Sequence, residues 1–280
     1  MATRTIKLPV GRDEIEMDLY ASSGEACGSI SRCCIVIVPG ATNKNWPPYQ
    51  PVCADIAESI AAAGFECVAF AARGQQPCTG HWSHESLEED LAAVVDYVEQ
   101  DSPASLSIGL LALSAGTSPA LSFACRYPDR VKCLAFWGTC FRGFYDAFYA
   151  DLNRAKDVLS EYQTVLREDF SIPERLYPEV LLPRLQVPLL LGFGTKDQHS
   201  SMQEHCEALR SCGTDNVSLV IMKDTPHSVH RKHHSFPQYA NTIVSWFSAW
   251  LSDGDLRVVL RHHLEARAER APLDGSSESV

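Results

Sequence analysis

Apolar and polar residues alternate with a period of two from Arg4 to Val10 and again from Glu14 to Ala21, with Gly11-Arg12-Asp13 between the runs. This predicts a β-hairpin with one solvated face. The next run, Cys33-Cys34-Ile35-Val36-Ile37-Val38, is apolar without a break and stops at Pro39-Gly40. A strand apolar on both faces belongs inside a sheet covered by helices. Short runs of the same kind recur at Cys67–Ala71, Leu106–Leu113, Val131–Trp137, Pro188–Phe193 and Val217–Met222. Between them the period lengthens to that of a helix. Val52–Ala63 is Ala-rich and closed by Gly64, and Glu85–Gln100 carries Leu87, Leu91, Val94, Val95 and Val98 on one face. Ala115–Arg126, Ser201–Arg210 and Tyr239–Leu251 are further helical stretches.

A hairpin followed by alternating strands and helices predicts an α/β fold with a doubly wound, mostly parallel sheet. Two segments break the alternation. Residues 139–185 separate two strands where one helix would suffice, so they are expected to form an inserted helical cap of two or more helices. Residues 253–270 add an amphipathic helix (Leu256, Val259, Leu260 and Leu264) after the core, expected over 1–138 and 186–252, is complete. A dimer interface or the chain's own core would cover that stripe, and a two-fold dimer is the expectation. The polar, Gly/Ser-rich residues 271–280 read as a disordered tail.

Composition changes this picture little. Lys and Arg number 24 against 35 Asp and Glu, giving a net charge of −11 that disfavours nucleic acid as a partner. The apolar runs are far too short to span a membrane, and Met1–Tyr20 has no uninterrupted apolar stretch of the kind an export signal needs. The 11 cysteines lack any Cys-x-x-Cys pair and mostly sit in apolar contexts, which reads as buried thiols in a cytoplasmic protein.

The sharpest chemical feature is Leu111-Ala112-Leu113-Ser114-Ala115-Gly116, a serine flanked by small residues between a buried strand and a helix. A turn this tight lifts the serine hydroxyl above the sheet and aims the N–H of Ala115 at the place where an oxyanion would form. The competing reading is that Ser114 only caps the helix, and Pro119, close to the helix start, counts against the register. A serine nucleophile needs a base, and the base needs an orienting acid. Asp197 follows one strand in Gly194-Thr195-Lys196-Asp197, and His227 follows the next in Asp224-Thr225-Pro226-His227. In a parallel sheet both loops open on the edge where Ser114 stands. Asp224 is a rival acid, and His199, His230, His233 and His234 are rival histidines. A metal site on His227, His230 and His234 is disfavoured because no carboxylate shares the spacing. The loop Pro39-Gly40-Ala41-Thr42 offers the Ala41 N–H as a second oxyanion donor, or is simply a turn.

Together these pieces resemble the α/β-hydrolase superfamily over roughly residues 1–252. Pro39-Gly40, Arg73-Gly74, the Ser114 elbow, Tyr127-Pro128-Asp129-Arg130, Gly194–Asp197 and Pro226-His227 carry the resemblance. Ala112 stands where many members have glycine, and Pro39-Gly40 where many have His-Gly. The resemblance implies Ser114 as nucleophile, Asp197 as acid, His227 as base and Ala41 and Ala115 as oxyanion donors; no cofactor and no metal are expected. It also implies that residues 139–185 form a lid. Serine rather than Asp or Cys at the elbow points to acyl chemistry, a serine hydrolase acting on an ester or thioester of a small, apolar or aromatic substrate. A lyase, acyltransferase or cyclase using the same residues is the alternative. Phe141, Phe144, Tyr145, Phe148 and Tyr149 fall on one helical stripe, and with Trp46 and Trp82 they are candidates to line the pocket. The same stripe would equally serve to dock the cap.

Overall fold

The computed structural model describes residues 3–23, 32–41, 51–100, 106–150 and 172–251, with the backbone alone at 3, 51 and 147–150. The alternating runs form β1 (Thr3–Val10) and β2 (Asp13–Tyr20), paired antiparallel with Val10 opposite Asp13 across the turn. The unbroken apolar runs form β3 (Cys33–Val38), β4 (Glu66–Ala71), β5 (Ser107–Leu113), β6 (Cys133–Trp137), β7 (Leu189–Gly194) and β8 (Val217–Met222). All eight lie in one sheet in the order β1-β2-β4-β3-β5-β6-β7-β8. β2 meets β4 antiparallel, and every neighbouring pair beyond is parallel.

The helices are α1 (Pro51–Ala62), α2 (His84–Gln100), α3 (Thr117–Arg126), α4 (Arg142–Ala150), α5 (Pro178–Leu181), α6 (Met202–Ser211) and α7 (Phe236–Leu251). Successive residues of β5 show how they cover the sheet. Leu110 and Ala112 share a core cluster with Leu91 and Val95 of α2 and Leu121 of α3. Leu111 and Leu113 share another with Ile56 and Ile60 of α1 and Ile243 and Phe247 of α7. Both faces of the strand are therefore dry, which is why its sequence does not alternate. Each fully buried side chain of this size contributes about 1.5–3 kcal/mol on leaving water, before ordering costs.

Three local findings refine the sequence reading. The helix expected from Ala115 opens with a 3-10 turn, Ser114–Gly116, and becomes α-helical at Thr117. Pro119 is thus the third α-helical residue, where an N–H has no partner inside the helix, so proline is tolerated there. Helix α6 starts one residue late because Ser201 is its cap. The Ser201 hydroxyl accepts the Glu204 N–H, and the Glu204 carboxylate accepts the Ser201 N–H in return. The expectation of thiols throughout is corrected at Cys33, which is disulfide-bonded at the entry to β3.

Within 139–185 the described residues form α4, α5 and two 3-10 turns, Glu174–Leu176 and Leu182–Arg184. The Arg142 N–H at the start of α4 donates to the Glu179 carboxylate at 2.7 Å. The Arg142 guanidinium pairs with Glu174 and lies 3.9 Å from the Tyr177 ring centre. Further along α4, the Tyr145 hydroxyl stands 3.0 Å from His84 Nε2. The Tyr145–His84 contact seats α4 on α2 of the core, and the Arg142 contacts tie α4 to the later part of the same segment. Among the described residues no helix is long and apolar enough to cross a membrane. The expected helix over 253–270, the dimer built on it and the expected tail over 271–280 lie outside the described residues.

Candidate active site

Strands β3, β5, β6, β7 and β8 are parallel neighbours, so the loops that follow them emerge along one edge of the sheet. Ser114 follows β5 with φ +52°, a left-handed backbone that a serine adopts only where its surroundings impose it. Leu113 before it is still extended, and Ser114 O accepts both the N–H and the hydroxyl of Thr117. Two residues on, a side chain at Gly116 would collide with the Pro39 carbonyl oxygen. Glycine there lets the elbow press directly on the backbone of the loop after β3.

The loops after β7 and β8 are tied to each other before either reaches Ser114. Thr195 N–H donates to Met222 O at 3.0 Å and Lys196 N–H to Thr225 O at 2.9 Å, while the Thr195 hydroxyl accepts the Asp224 N–H at 2.8 Å. This lattice sets Asp197 opposite His227, with His227 Nδ1 2.8 Å from Asp197 Oδ2. On its other side His227 Nε2 lies 2.8 Å from Ser114 Oγ. A carboxylate can only accept, so Nδ1 carries the proton and Nε2 accepts the serine hydroxyl. The Trp137 indole N–H holds the His227 carbonyl at 3.0 Å, and the His227 ring lies against Gly138, where a Cβ would stand 2.8 Å from it.

Asp197 has a fully buried side chain. Burial pushes its pKa up, but the His227 hydrogen bond and charge, with the His199 N–H at 2.8 Å, outweigh that and hold it below the usual carboxylate value. The Ser200 hydroxyl adds a longer bond of 3.3 Å. Its rival Asp224 is exposed and faces Lys196 at 3.9 Å. Among the rival histidines, His233 and His234 stack on each other with centroids 4.3 Å apart. His199 stands beside His227 instead, with ring centroids 4.5 Å apart. No group of three or more His, Cys, Asp or Glu among the described residues is placed to hold a metal ion.

Ala115, buried, and Ala41, half-buried, flank the contact between the elbow and the loop after β3. The pocket candidates divide. Trp82, Phe141 and Tyr145 are at most 1% exposed and belong to the core cluster beneath α2 and α3, so for these three the docking reading describes the structure. Phe144 is half-buried, and its ring meets His199 edge-on at 5.2 Å. Trp46 and the side chain of Phe148 lie outside the described residues.

One neighbour of Ser114 was missed. Cys140 Sγ stands 3.6 Å from Ser114 Oγ, and burial pushes the thiol pKa up to about 12. Its position three residues past β6, on the same edge as the elbow, was the available signal.

Comparison with known proteins bears on the fold that carries this site. No curated protein sequence matches the chain. Among solved structures, the esterase Pf2001 of Pyrococcus furiosus superimposes with a TM-score of 0.70 at 17% identity, over 89% of this chain and 91% of that one. Dienelactone hydrolase from Anabaena variabilis gives 0.62 at 17% identity, over 89% and 98%. XC6422 of Xanthomonas campestris, described as a serine hydrolase without a lid, gives 0.59 at 18% identity, over 94% and 96%. At these identities the likeness is one of fold. The family model for the alpha/beta hydrolase fold matches residues 34–198, more than half of the chain, and the protein belongs to that family.

Proposed function

We propose that the protein is a serine hydrolase that cleaves an ester or thioester through an acyl-enzyme. The observation that carries this reading is the unbroken hydrogen-bonded line Asp197–His227–Ser114, at 2.8 Å for each link, ending on a serine held at φ +52°. In the first half-reaction His227 Nε2 takes the hydroxyl proton as Ser114 Oγ attacks the carbonyl carbon. Asp197 keeps the imidazole in the tautomer with Nδ1–H and stabilises the imidazolium. The carbonyl oxygen, now an oxyanion, is received by the Ala115 and Ala41 N–H groups. Collapse expels the alcohol or thiol, which takes the proton from His227, and Ser114 is left acylated. Water, deprotonated by the same imidazole, then releases the acid and restores the serine. The reading needs no cofactor.

The acyl group proposed is small and apolar or aromatic, because the half-buried Phe144 ring lies against His199, itself the neighbour of His227. Residues 139–185 are proposed to act as a cap over this edge of the sheet.

The test combines a fluorophosphonate probe with p-nitrophenyl butyrate. The wild type is expected to be labelled on Ser114 and to release p-nitrophenol, and Ser114→Ala to do neither while keeping its circular dichroism. More than a tenth of wild-type turnover in folded Ser114→Ala would refute the nucleophile. Turnover in ¹⁸O water should place the label in the released acid, which separates hydrolysis from transfer or cyclisation.

A further inference from the structure

The side chain of Gln75, in the loop after β4, is 5% exposed, and both ends of its amide are engaged. Oε1 accepts the Ala72 N–H at 2.9 Å, and Nε2 donates to the Gly40 carbonyl at 2.8 Å. Only one orientation satisfies both, because an N–H can only donate and a carbonyl only accept. The backbone of Gln75 is pinned as firmly. Its N–H donates to Ala72 O at 3.0 Å, and its carbonyl accepts the Cys78 N–H at 2.7 Å. The amide is therefore a rigid arm reaching from one loop to the next.

What the arm grips matters for the site. In a trans peptide the C=O and N–H point to opposite sides. The peptide whose oxygen belongs to Gly40 carries the N–H of Ala41. Strand β3 lies between β4 and β5 in the sheet. A Gly40 carbonyl drawn toward the β4 loop turns the Ala41 N–H toward β5 and its elbow at Ser114.

We propose that Gln75 is a positioning residue for the reaction: it holds the Gly40–Ala41 peptide so that the Ala41 N–H faces the oxyanion formed on Ser114. The proposal rests on the serine-hydrolase reading. Gln75 touches no reacting atom and acts through one peptide plane. Arg73 in the same loop bonds Asp90 of α2 instead and, among the described residues, makes no bond to the loop after β3.

The test uses Gln75→Glu and Gln75→Met in the full chain. Glutamate keeps the size and the acceptor for Ala72 but sets an oxygen against the Gly40 carbonyl, and methionine removes both bonds. Rates are measured on p-nitrophenyl acetate and its thiono counterpart, per Ser114 site titrated by saturating fluorophosphonate, so that unfolded protein does not count. Losing an oxyanion donor outright costs about 10²–10³ in turnover, and misaiming one is expected to cost about 10–100-fold in kcat with KM little changed. The oxo-over-thiono preference is expected to fall with it, since sulfur is a poor guest for a hole shaped to oxygen. A kcat loss with the preference intact, or no loss at all, would overturn the proposal and leave the hydrolase reading standing. A wild type with no Ser114-dependent turnover of the oxygen ester would overturn the hydrolase reading and the proposal together. Should Gln75→Met yield no titratable sites, Gln75→Glu decides.

Discussion

The imidazole of His199 stands edge-on to that of His227, with ring centroids 4.5 Å apart, and it also meets the Phe144 ring of α4. Loss of water around the ring, and then the charge of His227, hold the His199 pKa below its ordinary 6.5, although the residue as a whole remains exposed. At neutral pH His199 is therefore uncharged, and His227 can take a proton from Ser114 without a like charge beside it.

The first prediction follows from that arrangement. His199→Lys puts a permanent positive charge next to His227 and disfavours its protonated form. The acid limb of kcat/KM is expected to move to lower pH by about half a unit, the size of a unit-charge interaction at this range in a watery setting. His199→Gln should leave the limb in place. A pH profile of kcat/KM for the two variants checks this, and a limb unmoved by lysine would remove His199 from the electrostatics of the site.

Gly138 is the second lever. Its φ is +64°, and a Cβ would stand 2.8 Å from two atoms of the His227 ring. Gly138→Ala is expected to displace the imidazole from Ser114 and lower kcat more than about tenfold, because misplacement by an ångström costs on the order of 10². Far-UV circular dichroism should be unchanged. Near-normal kcat in the alanine variant would show that the ring has room to adjust.

Cys140 offers a chemical test. With its thiol pKa near 12, it stays protonated at pH 8 and is a poor nucleophile despite lying 3.6 Å from Ser114 Oγ. Iodoacetamide at pH 8 is expected to leave the activity intact, whereas fluorophosphonate removes it. Inactivation by iodoacetamide that Cys140→Ala prevents would contradict this placement.

A fourth prediction concerns stability. His205 is buried with its ring between Phe141 and Phe193, at centroid distances of 5.0 and 4.7 Å, and its Nε2 has no hydrogen-bond partner. Burial lowers its pKa from the ordinary 6.5. A histidine kept neutral by the fold contributes stability that is fully present above pH 6.5. Below that the unfolded chain takes up the proton first, and stability falls by at most about 1.4 kcal/mol per pH unit. Denaturant unfolding between pH 7 and 5.5 should therefore lose less stability in His205→Leu than in the wild type. Equal losses would show that His205 is not the titrating group.

Much of the fold was legible because the signals are short-range. The β3 run and the Pro39-Gly40 stop, the helical face Leu87-Leu91-Val94-Val95-Val98, and small residues on both sides of Ser114 each speak through neighbours a few positions away. Element order then follows, since parallel strands must be joined by crossovers. With that order known, the loops bearing Ser114, Asp197 and His227 had to share one edge of the sheet. Readings stayed open where a local pattern has two uses. The stripe holding Phe141 and Tyr145 suits a pocket wall as well as a docking surface, and their burial against the core is a fact about what lies opposite.

By itself the sequence determined the strand and helix pattern, the tight turn at Ser114 and the loops from which an acid and a histidine emerge, because backbone conformation answers to residues close in the chain. Only the tertiary structure decided which side chains meet. Asp197 rather than Asp224 faces His227 because Thr195 and Lys196 are bonded to the loop after β8. His227 rather than the other histidines reaches Ser114 because its carbonyl is held by Trp137, ninety positions away. Gln75 grips Gly40 across 35 positions, and Cys140 meets Ser114 across 26. Such pairings depend on where separate strands set their ends, and no window of neighbouring residues contains that information.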